Sequence, residues 1–226
     1  MFSVVILSKD IHNLVPCVRA ILANEPEMED QRIVVVDDGA YTDAPRSLHG
    51  HTWVPGKKPF IFARNANIGL RKAYESSDAA ILLNDDAVLR THGGFTSLYG
   101  AWKACLPQYG LLSAATNRVG NTNQYSQDAK VIRPESRMLC FICCLIPRAV
   151  FQKAGPLDER YCLDYGVEDG DYSFRVRREG YGLGIWDQCF VDHSSLKSSY
   201  RGDGNASFAQ NAALFAAKWG MPYGTE

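Results

Sequence analysis

The sequence predicts an α/β fold, a single domain with a Rossmann-like, mostly parallel mixed sheet flanked by helices. Three observations predict it. Short apolar runs alternate with longer segments whose apolar residues recur at helical spacing. Two of those runs stop abruptly in acids, at Val36-Asp37-Asp38-Gly39 and at Leu83-Asn84-Asp85-Asp86. Hydrophobic residues make up 46% of the 226 and charged residues 22%, an ordinary globular balance that fills a core.

The elements follow in order. Residues 3–8 are a short apolar run bounded by polar residues, so a buried strand is expected. Leu14, Cys17, Val18, Ile21 and Leu22 then form one helical face, with Asn13 as its cap and Pro16 tolerated in the first turn. Residues 32–36 predict a second, β-branched strand and residues 60–63 a third, shorter one. Leu70, Ala73, Tyr74 and Ser77 mark the inner face of another helix, and residues 79–83 a fourth strand. Ligands of such sheets bind outside the carboxyl ends of the strands, so Asp37, Asp38, Asp85 and Asp86 are expected along one rim.

The second half is less regular. Residues 95–106 read as a helix, 111–115 as a strand and 116–135 as a long polar surface loop. Residues 138–146 predict a strand, 168–179 a helix and 184–191 a last strand. Residues 196–205, with Gly202 and Gly204, read as a mobile connection. Phe208, Ala212, Phe215, Ala216 and Trp219 line a closing helix that Gly220 and Pro222 stop. No repeat, low-complexity tract or linker interrupts the chain, so residues 1–226 are expected to form one domain with halves 1–115 and 116–226.

Composition also excludes. With 24 basic and 25 acidic residues the formal net charge is −1, which gives no electrostatic reason for a nucleic-acid partner. No stretch approaches the roughly 20 apolar residues of a transmembrane helix. Met1 to Leu7 lacks the basic flank and cleavage site of a signal peptide and reads as the first strand. The seven cysteines include Cys140-x-x-Cys143, but no second pair stands at zinc-finger spacing and the neighbours are apolar, so they read as reduced core thiols and favour a cytoplasmic setting. The oligomeric state is not legible.

Four constellations carry chemistry. Asp37-Asp38-Gly39 follows a strand; a carboxylate there accepts hydrogen bonds from a ribose or a base, or caps the amides of an Asp-Gly turn. Adjacent Asp85 and Asp86 repel unless a cation or hydrogen bonds neutralise them; Mg²⁺ or Mn²⁺ does so and keeps positions open for phosphate oxygens. Glu168-Asp169-Gly170-Asp171 opens a helix, where acids either complement the helix dipole or supply a general base facing a cleft. His193 follows the last strand, as a structural side chain or, if it faces Asp86, as a metal ligand.

Together, their order resembles that of the inverting glycosyltransferases with the A-type fold, in particular the family 2-like, rhamnosyltransferase-like members. The resemblance runs through Val34 to Gly39, Asn65-Ala66-Asn67-Ile68-Gly69, Leu82 to Asp86, Ala115-Thr116-Asn117, Arg148 to Glu159, Glu168 to Arg175, and Lys218-Trp219-Gly220. It implies metal-dependent transfer of a sugar, with inversion, from a nucleotide-diphosphate donor (UDP first) to a hydroxyl of a glycan or glycoconjugate acceptor. It implies donor binding by Ser8, Asp38, Arg64, Asn67, Asn84 and Asp85. Asp86 and His193 would be ligands of Mn²⁺ or Mg²⁺, and Asp169, with Glu168 as alternative, the catalytic base. Residues 1–115 would then bind the nucleotide-sugar, and 116–226 the acceptor and base. Asn84 stands where the family's Asp-x-Asp triplet has its first Asp. Two other classes are a nucleotidyltransferase and a non-catalytic nucleotide-sugar-binding module. The Ser8-Lys9-Asp10-Ile11-His12 junction has no glycine for the phosphate loop that a nucleotidyltransferase or a dinucleotide-binding oxidoreductase carries there.

Overall fold

The computed structural model describes residues 1–161, 166–197 and 204–225. A mixed sheet runs through both halves of the chain in the order β3-β2-β1-β4-β8-β6-β9-β5, with β7 on β9. These strands are β1 (Phe2–Ser8), β2 (Ile33–Asp37), β3 (Thr52–Pro55), β4 (Ala79–Asn84), β5 (Val88–Leu89), β6 (Tyr109–Thr116), β7 (Arg133–Glu135), β8 (Cys143–Pro147) and β9 (Gly182–Asp192). The pairs β3/β2, β2/β1, β1/β4 and β6/β9 are parallel; β8 runs against both β4 and β6.

Both faces of the sheet are covered, which is why its central strands are apolar throughout instead of alternating. Val4 and Ile6 face one layer with Leu14, Cys17 and Ile21 of α1 (Ile11–Asn24) and Phe95 and Leu98 of α3 (Gly94–Ala104). Val5 and Leu7 face the other, with Ala66 and Leu70 of α2 (Phe62–Ala73), Val150 of α4 (Arg148–Ala154) and Tyr172 of α5 (Glu168–Arg178). A third cluster joins Phe215 of α6 (Gly204–Trp219) to Tyr161 and Val167.

Several expectations need correction. Residues 60–63 are not a strand: α2 begins at Phe62, because Ala63, Ala66, Leu70 and Ala73 continue a helical stripe back to that point. The third parallel strand is Thr52–Pro55, whose register on β2 runs from Val34↔Thr52 to Asp37↔Pro55. The cap of α1 is Asp10, which accepts the His12 N–H; Asn13 lies inside the helix and its amide donates to the Lys197 carbonyl, while Pro16 sits beyond the first turn. The expected strand over 138–146 is paired only from Cys143. The 116–135 segment is pinned instead of loose: Asn121 and Asn123 both donate to Glu135, Gln124 bonds Ser113 and Cys140, and its end pairs with β9 as β7. The six described cysteines are free thiols, but Cys140 is half-buried and not in a strand; Cys162 lies outside the described residues, as does most of the 196–205 connection. Phe208 is 40% exposed and only Phe215 of the α6 stripe is fully enclosed. Among the described residues no helix is long and apolar enough to cross a membrane.

Candidate active site

The parallel register brings the two acidic strand ends level. Ser8 pairs with Asp37 and Leu7 with Asn84, so β1, β2 and β4 finish on one rim. The two acids after β2 divide their work. Asp37 Oδ1 accepts the amides of Gly39, Ala40 and Tyr41 at 2.8–3.0 Å and closes the turn, which Gly39 enters at φ 125°. Asp38 is buried; its amide donates to the Ser8 carbonyl at 2.8 Å and its carboxylate lies 2.6 Å from Lys58 Nζ. Ser8 Oγ donates to Asp85 Oδ2 at 2.7 Å, tying β1 to the turn after β4.

Asp86 meets His193 across the sheet, with Oδ1 3.1 Å from Nε2. The turn after β9 is built for this meeting. Asn117 receives the His193 amide at 3.0 Å and donates to Asp192 at 2.9 Å, and His193 Nδ1 is 2.8 Å from the Arg118 carbonyl. With acceptors opposite both ring nitrogens, the imidazolium donates to each, whereas the neutral ring keeps its proton on Nδ1 for the Arg118 carbonyl and leaves the Nε2 lone pair facing Asp86. Burial pulls the imidazole pKa down, but the hydrogen bond and charge of Asp86 outweigh it and the net shift is upward. Among the described residues no three His, Cys, Asp or Glu side chains converge on a metal position. One carboxylate and one imidazole nevertheless match an ion that takes its remaining ligands from phosphate oxygens and water.

At the far wall, α5 begins with Glu168 and Asp169. The turn before it is bent, with Gly166 at φ 73° and the β-branched Val167 at φ 83°, a backbone conformation side chains rarely adopt and one that clusters at functional sites. Burial, then the Asp169 charge, pushes the Glu168 carboxyl up to about 8. Asp169 Oδ1 accepts the Gly170 amide at 2.8 Å. Asp171, three residues after Glu168, faces away from this wall. It is fully buried and takes bonds from Tyr161, Arg175, Lys218 and Trp219. It anchors α6 to α5 and does not serve as a base.

A cavity of about 960 Å³ joins these parts. Asn84, Asp85, Asp86 and His193 line it on the sheet side, Glu168 and Asp169 on the α5 side. Four of the six expected donor residues do not line it: Ser8 is buried with Oγ on Asp85, Asp38 is buried against Lys58, and the other two are placed elsewhere. Asn67 is buried with both amide atoms on the Leu157 backbone, at 2.9 Å each, and Arg64 donates to the carbonyls of Lys57 and Pro59; neither lines the cavity. Sequence reasoning gave the second half, with its 116–135 loop, to the acceptor but named none of the lining residues there, Arg118, Tyr125, Arg137 and Tyr223 among them. No acid pair or strand end marks them. Only the buried Asn and Gln of that segment signal that its backbone is held.

No protein-family model matches the chain, and no curated protein sequence matches it either. Solved structures do. A mannosyltransferase from Pyrobaculum calidifontis, in complex with GDP-mannose and Mn²⁺, is 16% identical with a TM-score of 0.68, covering 98% of this chain and 65% of its own. GalNAc-T7 with UDP, GalNAc and Mn²⁺ is 12% identical with a TM-score of 0.71, covering 99% and 52%. A candidate glucose-1-phosphate thymidylyltransferase from Bacillus anthracis, in complex with sucrose, is 12% identical with a TM-score of 0.54, covering 95% of both chains. The chain thus has the A-type glycosyltransferase fold and spans about two thirds and one half of the two glycosyltransferase chains.

Proposed function

We propose that this chain transfers a sugar from a nucleotide-diphosphate donor to a hydroxyl of a glycan or glycoconjugate, with inversion at the anomeric carbon. One observation carries the reading: the Asp86–His193 pair and the Glu168–Asp169 pair line the same cavity. The first pair suits a divalent ion, Mn²⁺ or Mg²⁺, and the second suits proton abstraction. The ion would be held by Asp86 and His193 and supply Lewis-acid neutralisation of charge on the leaving diphosphate.

The remaining roles belong to the chain's own groups. Asp38, with Ser8 and Asp85 beside it, accepts hydrogen bonds from the nucleoside at the rim. Arg118, whose carbonyl fixes His193, brings its guanidinium to the diphosphate end. Asp169 takes the proton of the attacking hydroxyl, on the wall opposite the leaving group. Single displacement needs no covalent nucleophile, and it inverts. The protonated Glu168 beside it leaves one negative charge in the pair instead of two.

Nucleotidyl transfer is the weaker reading. Its representative structure has the lower TM-score, and β1 passes into α1 through only two residues, with Asp10 already the helix cap, so no glycine-rich phosphate loop lies there. The test is a panel of nucleotide-sugars with Mn²⁺, scored by hydrolysis to the free sugar and by thermal shift. Release of nucleoside diphosphate, strongest from a UDP-sugar, is expected. Release of nucleoside monophosphate with sugar 1-phosphate, or binding without any turnover, would refute the proposal.

A further inference from the structure

The acceptor end of the cavity has a chemistry of its own. Arg137 is an exposed residue of the cavity wall, and among the described residues its guanidinium makes no ion pair within 4.0 Å. Its backbone is nonetheless fixed. Its amide donates to Glu135 at 2.9 Å, its carbonyl accepts from Arg177 at 3.2 Å, and Asn121 holds the next carbonyl, that of Met138, at 2.8 Å. A cation on a pinned backbone, near the Glu135 charge but in no ion pair within 4.0 Å among the described residues, is placed for an anion that arrives.

Its neighbours say which end of the cavity this is. Cys140, also on the wall, senses both Asp169 and Arg137: burial pushes its thiol up to about 12, the Asp169 charge adds to that and the Arg137 charge opposes it. Arg137 therefore lies within electrostatic reach of the same thiol as the base. On its other flank, a Cβ at Gly224 would stand 3.8 Å from Arg137 Nη1, which puts the guanidinium beside Tyr223 and Gly224. There Tyr223 and the 40% exposed Phe208 form an edge-to-face pair with centroids 5.8 Å apart, and both line the cavity. An aromatic face next to a guanidinium fits a sugar ring that carries an acid: the ring's C–H face packs on the aromatics and the oxyanion takes the forked N–H donors.

We propose that Arg137 binds the acid group of an anionic acceptor sugar, holding its ring against Phe208 and Tyr223 while its reacting hydroxyl faces Asp169. This rests on the glycosyl-transfer reading, and the experiment separates the two. The protein with Mn²⁺, alone and with UDP, is titrated calorimetrically with methyl β-D-glucuronide and with the neutral methyl β-D-glucoside of the same ring configuration. The glucuronide is expected to bind at least about tenfold tighter, which is about 1.4 kcal/mol. Arg137→Ala should erase that preference, Arg137→Lys should keep part of it, and UDP affinity should not change in either variant. Equal binding of the two glycosides, or binding of neither, overturns the proposal. So does an unchanged preference in Arg137→Ala, or a loss of UDP affinity in it, which would assign the guanidinium to the donor diphosphate. Failure of UDP to bind the wild-type protein with Mn²⁺ counts against the proposed function instead.

Discussion

At the residue scale, the neighbouring acids Glu168 and Asp169 are distinguished by protonation. The Glu168 carboxyl holds its proton near neutral pH because burial disfavours the charged form and Asp169 adds repulsion. Glu168→Gln imitates that neutral state and should retain transfer, whereas Asp169→Asn should keep donor binding and lose about 10²–10⁴ of the transfer rate. Initial rates on a shared acceptor check this; a silent Glu168→Gln beside an active Asp169→Asn would reverse the roles. The same proton affects stability, with a definite sign. The folded pKa lies above the unfolded one of about 4.3, so the folded state binds more protons between them. Stability should fall as pH rises from about 4.3 to about 8, and Glu168→Gln should flatten that slope in urea titrations. Across the cavity, Asp86→Ala should abolish the Mn²⁺-dependent part of donor binding measured by calorimetry, while Asp37→Ala should disturb only the turn it caps.

At the element scale, two contacts determine whether the site's helices sit correctly. Asp171 gathers Lys218 and Trp219 of α6 and Arg175 of α5 onto one fully buried carboxylate. Asp171→Ala leaves Arg175 without its carboxylate and Lys218 with Asp158 alone, and should cost about 3 kcal/mol in chemical denaturation. Gly69 is where α2 meets the sheet: an added Cβ would lie 2.3 Å from Val5 Cγ1 and 2.7 Å from Val36 Cγ2. Both valines are stiff at χ1, so Gly69→Ala should lower stability by about 1–3 kcal/mol. These elements differed in how legible they were. The strands β1, β2 and β4 announce themselves because they are buried on both faces, and β2 and β4 also run into acids. Thr52–Pro55 does not, since an edge strand four residues long, half-exposed and bounded by His51 and Gly56, carries no periodicity. Residues 60–63 misled for the opposite reason: four residues without a polar interruption until Arg64 fit a strand as well as the entry to a helix.

At the scale of the whole molecule, the site draws on segments far apart in the chain, and this is where reading the sequence reached its limit. Each acid pair could be found from the run it terminates. That Asp86 touches His193, 107 positions later, depends on β5 and β9 pairing antiparallel as Val88↔Asp192 and Leu89↔Val191, and two-residue β5 is too short to signal itself. The same dispersion predicts a cooperative ligand response. If Asp86, His193 and the phosphates complete one coordination shell, Mn²⁺ alone finds two protein ligands among the described residues and the nucleotide alone brings its phosphates up to the acidic Asp85 and Asp86. Together they should stabilise the fold by much more than the sum of their separate effects. At a hundredfold excess over Kd the linkage is worth about 2.7 kcal/mol, roughly 5–10 °C in Tm for a chain of this size. Thermal melts with UDP, with Mn²⁺ and with both measure it, and EDTA should return the third curve to the first. Additive shifts would mean that nucleotide and metal bind independently, and that the Asp86–His193 pair is a structural tie between β4 and β9 only. In Asp86→Ala the synergy should vanish while the fold, whose core does not depend on this rim, still melts cooperatively.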